Sequence, residues 1–227
     1  MPRTPYSRTV GLAASTASVL LTSVLVGGCG AQDDAPHPAA EGAAAPKASV
    51  PAARVLHTAE LEAALPNQFS IPAELELDMG GGQAWDNTDA THCQSEGWLD
   101  EWCSEALSVG SVLYKNYQDQ GLLVRMISFA DTATATRFFN GKGTVNEVGN
   151  NPPGDASDGY EPEPTADAPT WTTKGIIVRQ GAVIAKVEHA WEAGTELRPG
   201  TLLDLTKLVV LRIQQAQAGK PPTASAR

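Results

Sequence analysis

Residues Ser111–Phe129 read SVLYKNYQDQGLLVRMISF. Two runs rich in β-branched, aliphatic and aromatic residues flank Asp119-Gln120-Gly121, which has turn chemistry. That pattern predicts a β-hairpin with strands over Ser111–Tyr117 and Leu122–Phe129. The second strand is apolar on both faces apart from Arg125 and Ser128, which predicts a central position in a sheet. A second hairpin is expected from Trp171–Arg179 and Val183–Trp191 around Gln180-Gly181-Ala182. Its last strand alternates: Val183, Ala185, Val187, His189 and Trp191 share one face, and Ile184, Lys186, Glu188 and Ala190 the other.

Helices frame these hairpins. Thr58 is placed to cap a first helix that carries Leu61, Ala64 and Leu65 on one face and stops at Pro66. Leu56 precedes that cap as a hydrophobic staple, and Phe69, Ile71 and Pro72 read as a packed loop. Asp131 caps a second helix that turns Ala135, Phe138 and Phe139 to the core and ends at Asn140-Gly141. A closing helix over about 200–217, opened by Pro199 or Thr201, sets Leu202, Leu205, Leu208, Val209 and Ile213 on a broad apolar face. Leu203 and Val210 widen that face, leaving a narrow polar strip at Asp204 and Lys207. The fold class expected is α+β: an antiparallel sheet packed against helices, in one domain over 54–218. Gly219–Arg227 is expected to be a disordered tail.

Two cysteines lie in this domain, in the loop THCQSEGWLDEWCSEA. In an oxidising compartment Cys93 and Cys103 form a disulfide; two free thiols, or a metal site with His92, are the other readings. A zinc site needs four ligands, or three and a water, at recognisable spacing, and that spacing is missing. Trp98 and Trp102 are expected to pack their indoles on the sheet, with Glu96, Asp100, Glu101 and Glu105 around them. Paired carboxylates beside tryptophan also occur in sugar-cleaving sites. Gly80-Gly81-Gly82 lacks the lysine and the strand–helix context of a phosphate loop and is read as a turn. Val145–Asp167 is expected to be a solvated loop. Its acids Asp155, Asp158, Glu161, Glu163 and Asp167 lack the order of a calcium-binding EF-hand.

The beginning of the chain is an address. Arg3 and Arg8 precede an apolar run, Val10–Val26, that closes on Leu25-Val26-Gly27-Gly28-Cys29. Residues 1–28 read as a lipoprotein signal peptide. The closing residues resemble a bacterial lipobox, which implies lipidation of Cys29 by acyl chains of the palmitate class and cleavage before it. An uncleaved membrane anchor with an incidental cysteine is the other reading. Residues 29–53 form the lipidated N-terminus and an Ala/Pro-rich tether, which has no aromatic residue and too little apolar surface to fold. Its 24 residues from Gly30 to Ala53 span about 25–30 Å as a flexible chain. Sixteen basic against 26 acidic residues give a formal charge of −10; loss of Arg3 and Arg8 makes it −12. Such a surface repels nucleic acid and anionic headgroups, so the membrane attachment expected is through acyl chains on Cys29.

TAELEAALP, SVLYKNY, ISFADTATATRFF and IIVRQGAVIAKV, with a Cys-containing middle and an apolar closing helix, resemble the PknH-like extracellular sensor domains of actinobacterial kinases and lipoproteins. The resemblance implies an α+β sandwich with a cleft and two disulfides, of which this chain has cysteines for one. It supplies no catalytic residue, cofactor or metal. The function expected is a non-catalytic ligand-binding or sensor-like domain, lipid-anchored at the outer face of the membrane. Its ligand would be a small molecule, an envelope component or a protein. The alternative is an envelope hydrolase assembled in a cleft, with Asp100, Glu101 and His189 as first suspects. On the sheet face that carries it, His189 reads rather as a hydrogen-bonded core residue.

Overall fold

In the computed structural model the residues described are 54–73, 75–77, 81–88, 90–116, 120–139, 152–162, 170–192, 194–195 and 200–226. The signal segment, Cys29 and the tether lie outside them, as do Tyr117, Asp119, Asn140-Gly141, Glu163, Asp167 and Pro199. All described residues belong to one unit, Ser49–Arg227.

The first hairpin pairs β3 (Ala106–Lys115) with β4 (Gln120–Phe129), and the second pairs β6 (Trp171–Gln180) with β7 (Val183–Glu192). Strand β4 also pairs with β7, so the two hairpins join through their apolar strands. β4 is therefore central, as its two-faced hydrophobicity requires. Gln120 and Gly121 belong to β4 rather than to the turn, because Gln120 pairs with Trp191 and Gly121 with both Lys115 and Ala190. Short strands complete the antiparallel sheet. β1 (Glu76–Leu77) and β2 (Gln83–Asp86) share the outer edge of β3, and β5 (Ala156–Tyr160) borders β6. The expected solvated loop thus contains a strand. Asp155, which opens it, accepts from the Gly181 backbone N–H at 2.7 Å and pairs with Arg179 at 3.0 Å. That carboxylate is a clasp on the second hairpin.

One face of the sheet is sealed. Val112, Tyr114, Leu122, Val124, Met126, Val178, Ala185 and Val187 form its core with helices α1 (Thr58–Ala64) and α5 (Thr201–Gln217). Thr58 is the first helical residue rather than the cap; His57 holds that position with no side-chain cap. Leu56, Leu61 and Ala64 are fully buried, as expected. Ile71 is buried too, but Phe69 is 78 % exposed: Asn67 Oδ1 accepts the Phe69 N–H and turns the ring outward.

Arg212 ties this layer together. Though charged and on α5, it is 3 % exposed, and its guanidinium donates to the carbonyls of Ala63, Ala64, Leu65 and Ala224. Three of those carbonyls end α1, where a helix leaves its acceptors unpaired and favours a cation. The Tyr114 hydroxyl donates to the next one, Pro66 O, at 2.8 Å. Burial pushes the Tyr114 phenol up to about 12, against the pull of Arg212. Residues 219–226, expected to be disordered, are held by this same cluster. Gln215 Oε1 accepts from Thr223 and Ala224, and the Ala226 N–H reaches Ser70 O at 2.8 Å.

Among the described residues, the helices over the other face cover one end of it. Helices α2 (Ala90–Ser95), α3 (Asp100–Cys103) and α4 (Thr132–Phe138) sit over Val109, Ile127, Phe129 and Ile184. Asp131 caps α4 by accepting the Thr134 N–H at 2.7 Å, as its position predicts, and that bond holds its carboxyl below the usual range. The helix ends one residue before Phe139, ahead of Asn140-Gly141.

Candidate functional site

Cys93 and Cys103 are joined in a disulfide, with Cα atoms 5.5 Å apart. It staples α2 to α3 and holds Trp98, which lies between them, stacked on Trp102 with ring centroids 5.5 Å apart. Both indoles are buried against the sheet. His92 stacks instead on Trp85, at 5.3 Å, so the three proposed metal ligands are used in two other ways. Among the described residues no three His, Cys, Asp or Glu side chains are grouped to hold a metal ion.

Beyond the edge of this disulfide lobe the sheet face is half-open. Leu113, Leu123, Arg125, Lys186, Glu188 and Ala190 are half-buried there, whereas Val109, Ile127 and Ile184 under the lobe are buried. The registers set these side chains in rows. Tyr160 pairs with Gly175, Gly175 with Glu188 and Glu188 with Leu123. In the next row Asp158 pairs with Ile177, Ile177 with Lys186 and Lys186 with Arg125.

A polar chain runs along these rows. The Tyr160 hydroxyl donates to Glu188 Oε1 at 2.6 Å, and the Arg125 guanidinium pairs with Glu188 Oε2 at 3.1 Å. Arg125 and Glu188 are 24 % and 12 % exposed, so water screens their attraction only in part. Burial pushes the Tyr160 phenol far up, and the Glu188 charge pushes the same way. Gly175 makes this geometry available: a Cβ there would stand 2.5 Å from Tyr160 Cζ, inside the ring's own space. Gly97, at φ +74°, brings the lobe's backbone over Arg125; a Cβ on it would lie 3.7 Å from the guanidinium Nη1.

Lys186 completes the site. Its ammonium lies 4.4 Å from the centroid of the Trp98 ring. Burial lowers its affinity for a proton; Glu188 opposes that, and the Arg125 charge adds to it. The sequence marks Arg125 as a polar break in an apolar strand and Lys186 and Glu188 as one face of an alternation. It does not show that register sets them side by side, or that Tyr160 belongs to a strand.

The suspects for a hydrolase do not converge. Asp100 and Glu101 are exposed on the lobe, over one face of the sheet. His189 shares the opposite, sealed face with Val187 and Ala185. It is 4 % exposed and stacks on Trp191 with centroids 4.8 Å apart. Burial pushes its imidazole down to about 4. Contrary to the expectation of a hydrogen-bonded core histidine, its Nε2 has no hydrogen-bond partner among the described residues.

No protein-family model matches the chain, and no curated protein does. Among solved structures it is similar to the extracellular domain of PknH from Mycobacterium tuberculosis. The two are 10 % identical, with a TM-score of 0.31 over 73 % of this chain and 93 % of that one.

Proposed function

We propose that this chain is an extracytoplasmic, lipid-anchored binding domain that captures its ligand, without chemistry, on the half-open face of its sheet. The observation that carries the reading is the polar chain of Tyr160, Glu188, Arg125 and Lys186 on that face. It is built on rigid strands and bordered by a lobe that the disulfide fixes in place. Placement on strands and a stapled loop gives a preorganised surface, which lowers the ordering cost of binding. The cystine supports an oxidising compartment. The sequence of residues 1–28 and Cys29 supports export and anchoring through acyl chains. The 24-residue tether would then hold the domain about 25–30 Å from the bilayer on average. No described helix is long and apolar enough to cross a membrane.

The test of the anchor is Cys29→Ser in cells fed labelled palmitate. Label in the wild-type chain and none in the variant is the expected result; equal label in both contradicts the anchoring. The test of the binding reading is recovery of the mature chain from its envelope with its bound molecules. A component held by the wild type and lost from Arg125→Gln agrees with it; retention by both contradicts it.

A further inference from the structure

We propose that Arg125 and Lys186 together bind a compact oxyanion, a carboxylate or a phosphate, on the half-open face. This rests on the reading of that face as the binding surface.

The two cations are direct cross-strand partners between β4 and β7, on the same face. Like charges so placed repel, and an apolar pair would suit a half-buried sheet better. Among the described residues one carboxylate, Glu188, stands beside them, and both its oxygens are engaged: Oε2 by Arg125 and Oε1 by the Tyr160 hydroxyl. Lys186 faces the Trp98 ring and has no carboxylate within 4.0 Å among the described residues. Asp158 shares its row but is two strands away, with Ile177 between. Among the described residues the cluster therefore sums to two positive charges and one negative, in a chain whose formal charge is −10.

A local excess of positive charge in a low-dielectric setting is a demand for an anion. A planar guanidinium and a point ammonium on neighbouring strands supply donors of the two kinds that oxyanions take. Arg125 is already oriented by Glu188, and Lys186 is held by Trp98, so little side-chain freedom remains to be lost. Leu113, Leu123 and Ala190, half-buried on the same face, offer an apolar floor for the rest of a larger molecule.

The test is nuclear magnetic resonance of the full chain in neutral detergent, with 13Cε-labelled lysine, titrated with inorganic phosphate or with acetate at constant ionic strength. The expected result is a saturable shift of the Lys186 signal, weakened about tenfold or more in Lys186→Gln (read on tryptophan signals) and in Arg125→Gln. Glu188→Gln removes the competing negative charge while its amide oxygen can still accept from Arg125, and should tighten binding about tenfold, a direction that misfolding does not imitate. Response to phosphate alone assigns a phosphoryl ligand; response to acetate as well assigns any oxyanion. A linear, non-saturating drift that is equal in wild type and variants means an adventitious ion only and overturns the proposal. Silence toward both anions, with a neutral envelope component still captured on this face, overturns the oxyanion assignment alone. Capture that Leu123→Lys leaves unchanged overturns the binding-face reading itself.

Discussion

His189 should make the domain acid-sensitive in a defined window. Its ring is 4 % exposed, lies flat on Trp191, and has a partnerless Nε2 among the described residues. Burial lowers its folded pKa from 6.5 to about 4. The unfolded chain therefore takes up a proton first. The stability that neutral His189 contributes is complete above pH 6.5, falls as the pH drops below it, and is lost by about pH 4. At about 1.4 kcal/mol per pH unit, that interval amounts to about 3 kcal/mol. His189→Phe keeps a flat ring to stack on Trp191 and removes the titrating group. Urea unfolding followed by tryptophan fluorescence, at steps from pH 7 to pH 4, measures the difference. The wild type should lose about 3 kcal/mol more than the variant across the window. Asp131, whose carboxyl is held below 3.8, adds its own acid loss only below that range and leaves the comparison clean. Parallel curves for the two proteins would refute the reasoning, because they would mean that the imidazole is hydrated or paired in the folded chain.

Other perturbations reach other layers. Arg212→Met should destabilise the domain by about 3–5 kcal/mol in the same assay, since it strips a buried donor from the carbonyls of Ala63, Ala64 and Leu65 at once. Gly175→Ala should cost about 1–2 kcal/mol, because the added methyl displaces the Tyr160 ring from Glu188. Combined with Tyr160→Phe, it should cost much less than the sum of the two, which a double-mutant cycle reads directly. Mass spectrometry of the chain isolated without reductant should find Cys93 and Cys103 closed to alkylation until reductant is added. Reduction should cost about 2–3 kcal/mol, as expected for so short a closed loop.

The legible parts of this fold were those with strong local pattern. The strands around Val112, Val124 and Val187 alternate or are apolar throughout, and Asp131 is a capping residue followed by a helix-length run. The cystine is legible because Cys93 and Cys103 are the pair that remains if Cys29 carries the lipid. The unforeseen parts depend on partners distant in the chain. Ala156–Tyr160 has no strand pattern, and Gly159 weakens it; it becomes β5 because β6 offers an edge and Asp155 pins its start. The tail 219–226 lacks apolar bulk, yet Arg212, Gln215 and Ser70 give its backbone hydrogen bonds. The candidate site was illegible for the same reason. Arg125, Tyr160 and Glu188 meet only through the registers of four strands.

The central claim is that the half-open sheet face, and not another surface, takes the ligand. Photo-crosslinking in the intact envelope tests it most directly, with a photoreactive residue placed at Leu123 on that face or at Leu211, which is 51 % exposed on α5 over the opposite face. The account predicts a discrete adduct from position 123 that disappears with Arg125→Gln, and none from position 211. An adduct at 211 with none at 123, or one at 123 that Arg125→Gln leaves unchanged, would contradict it.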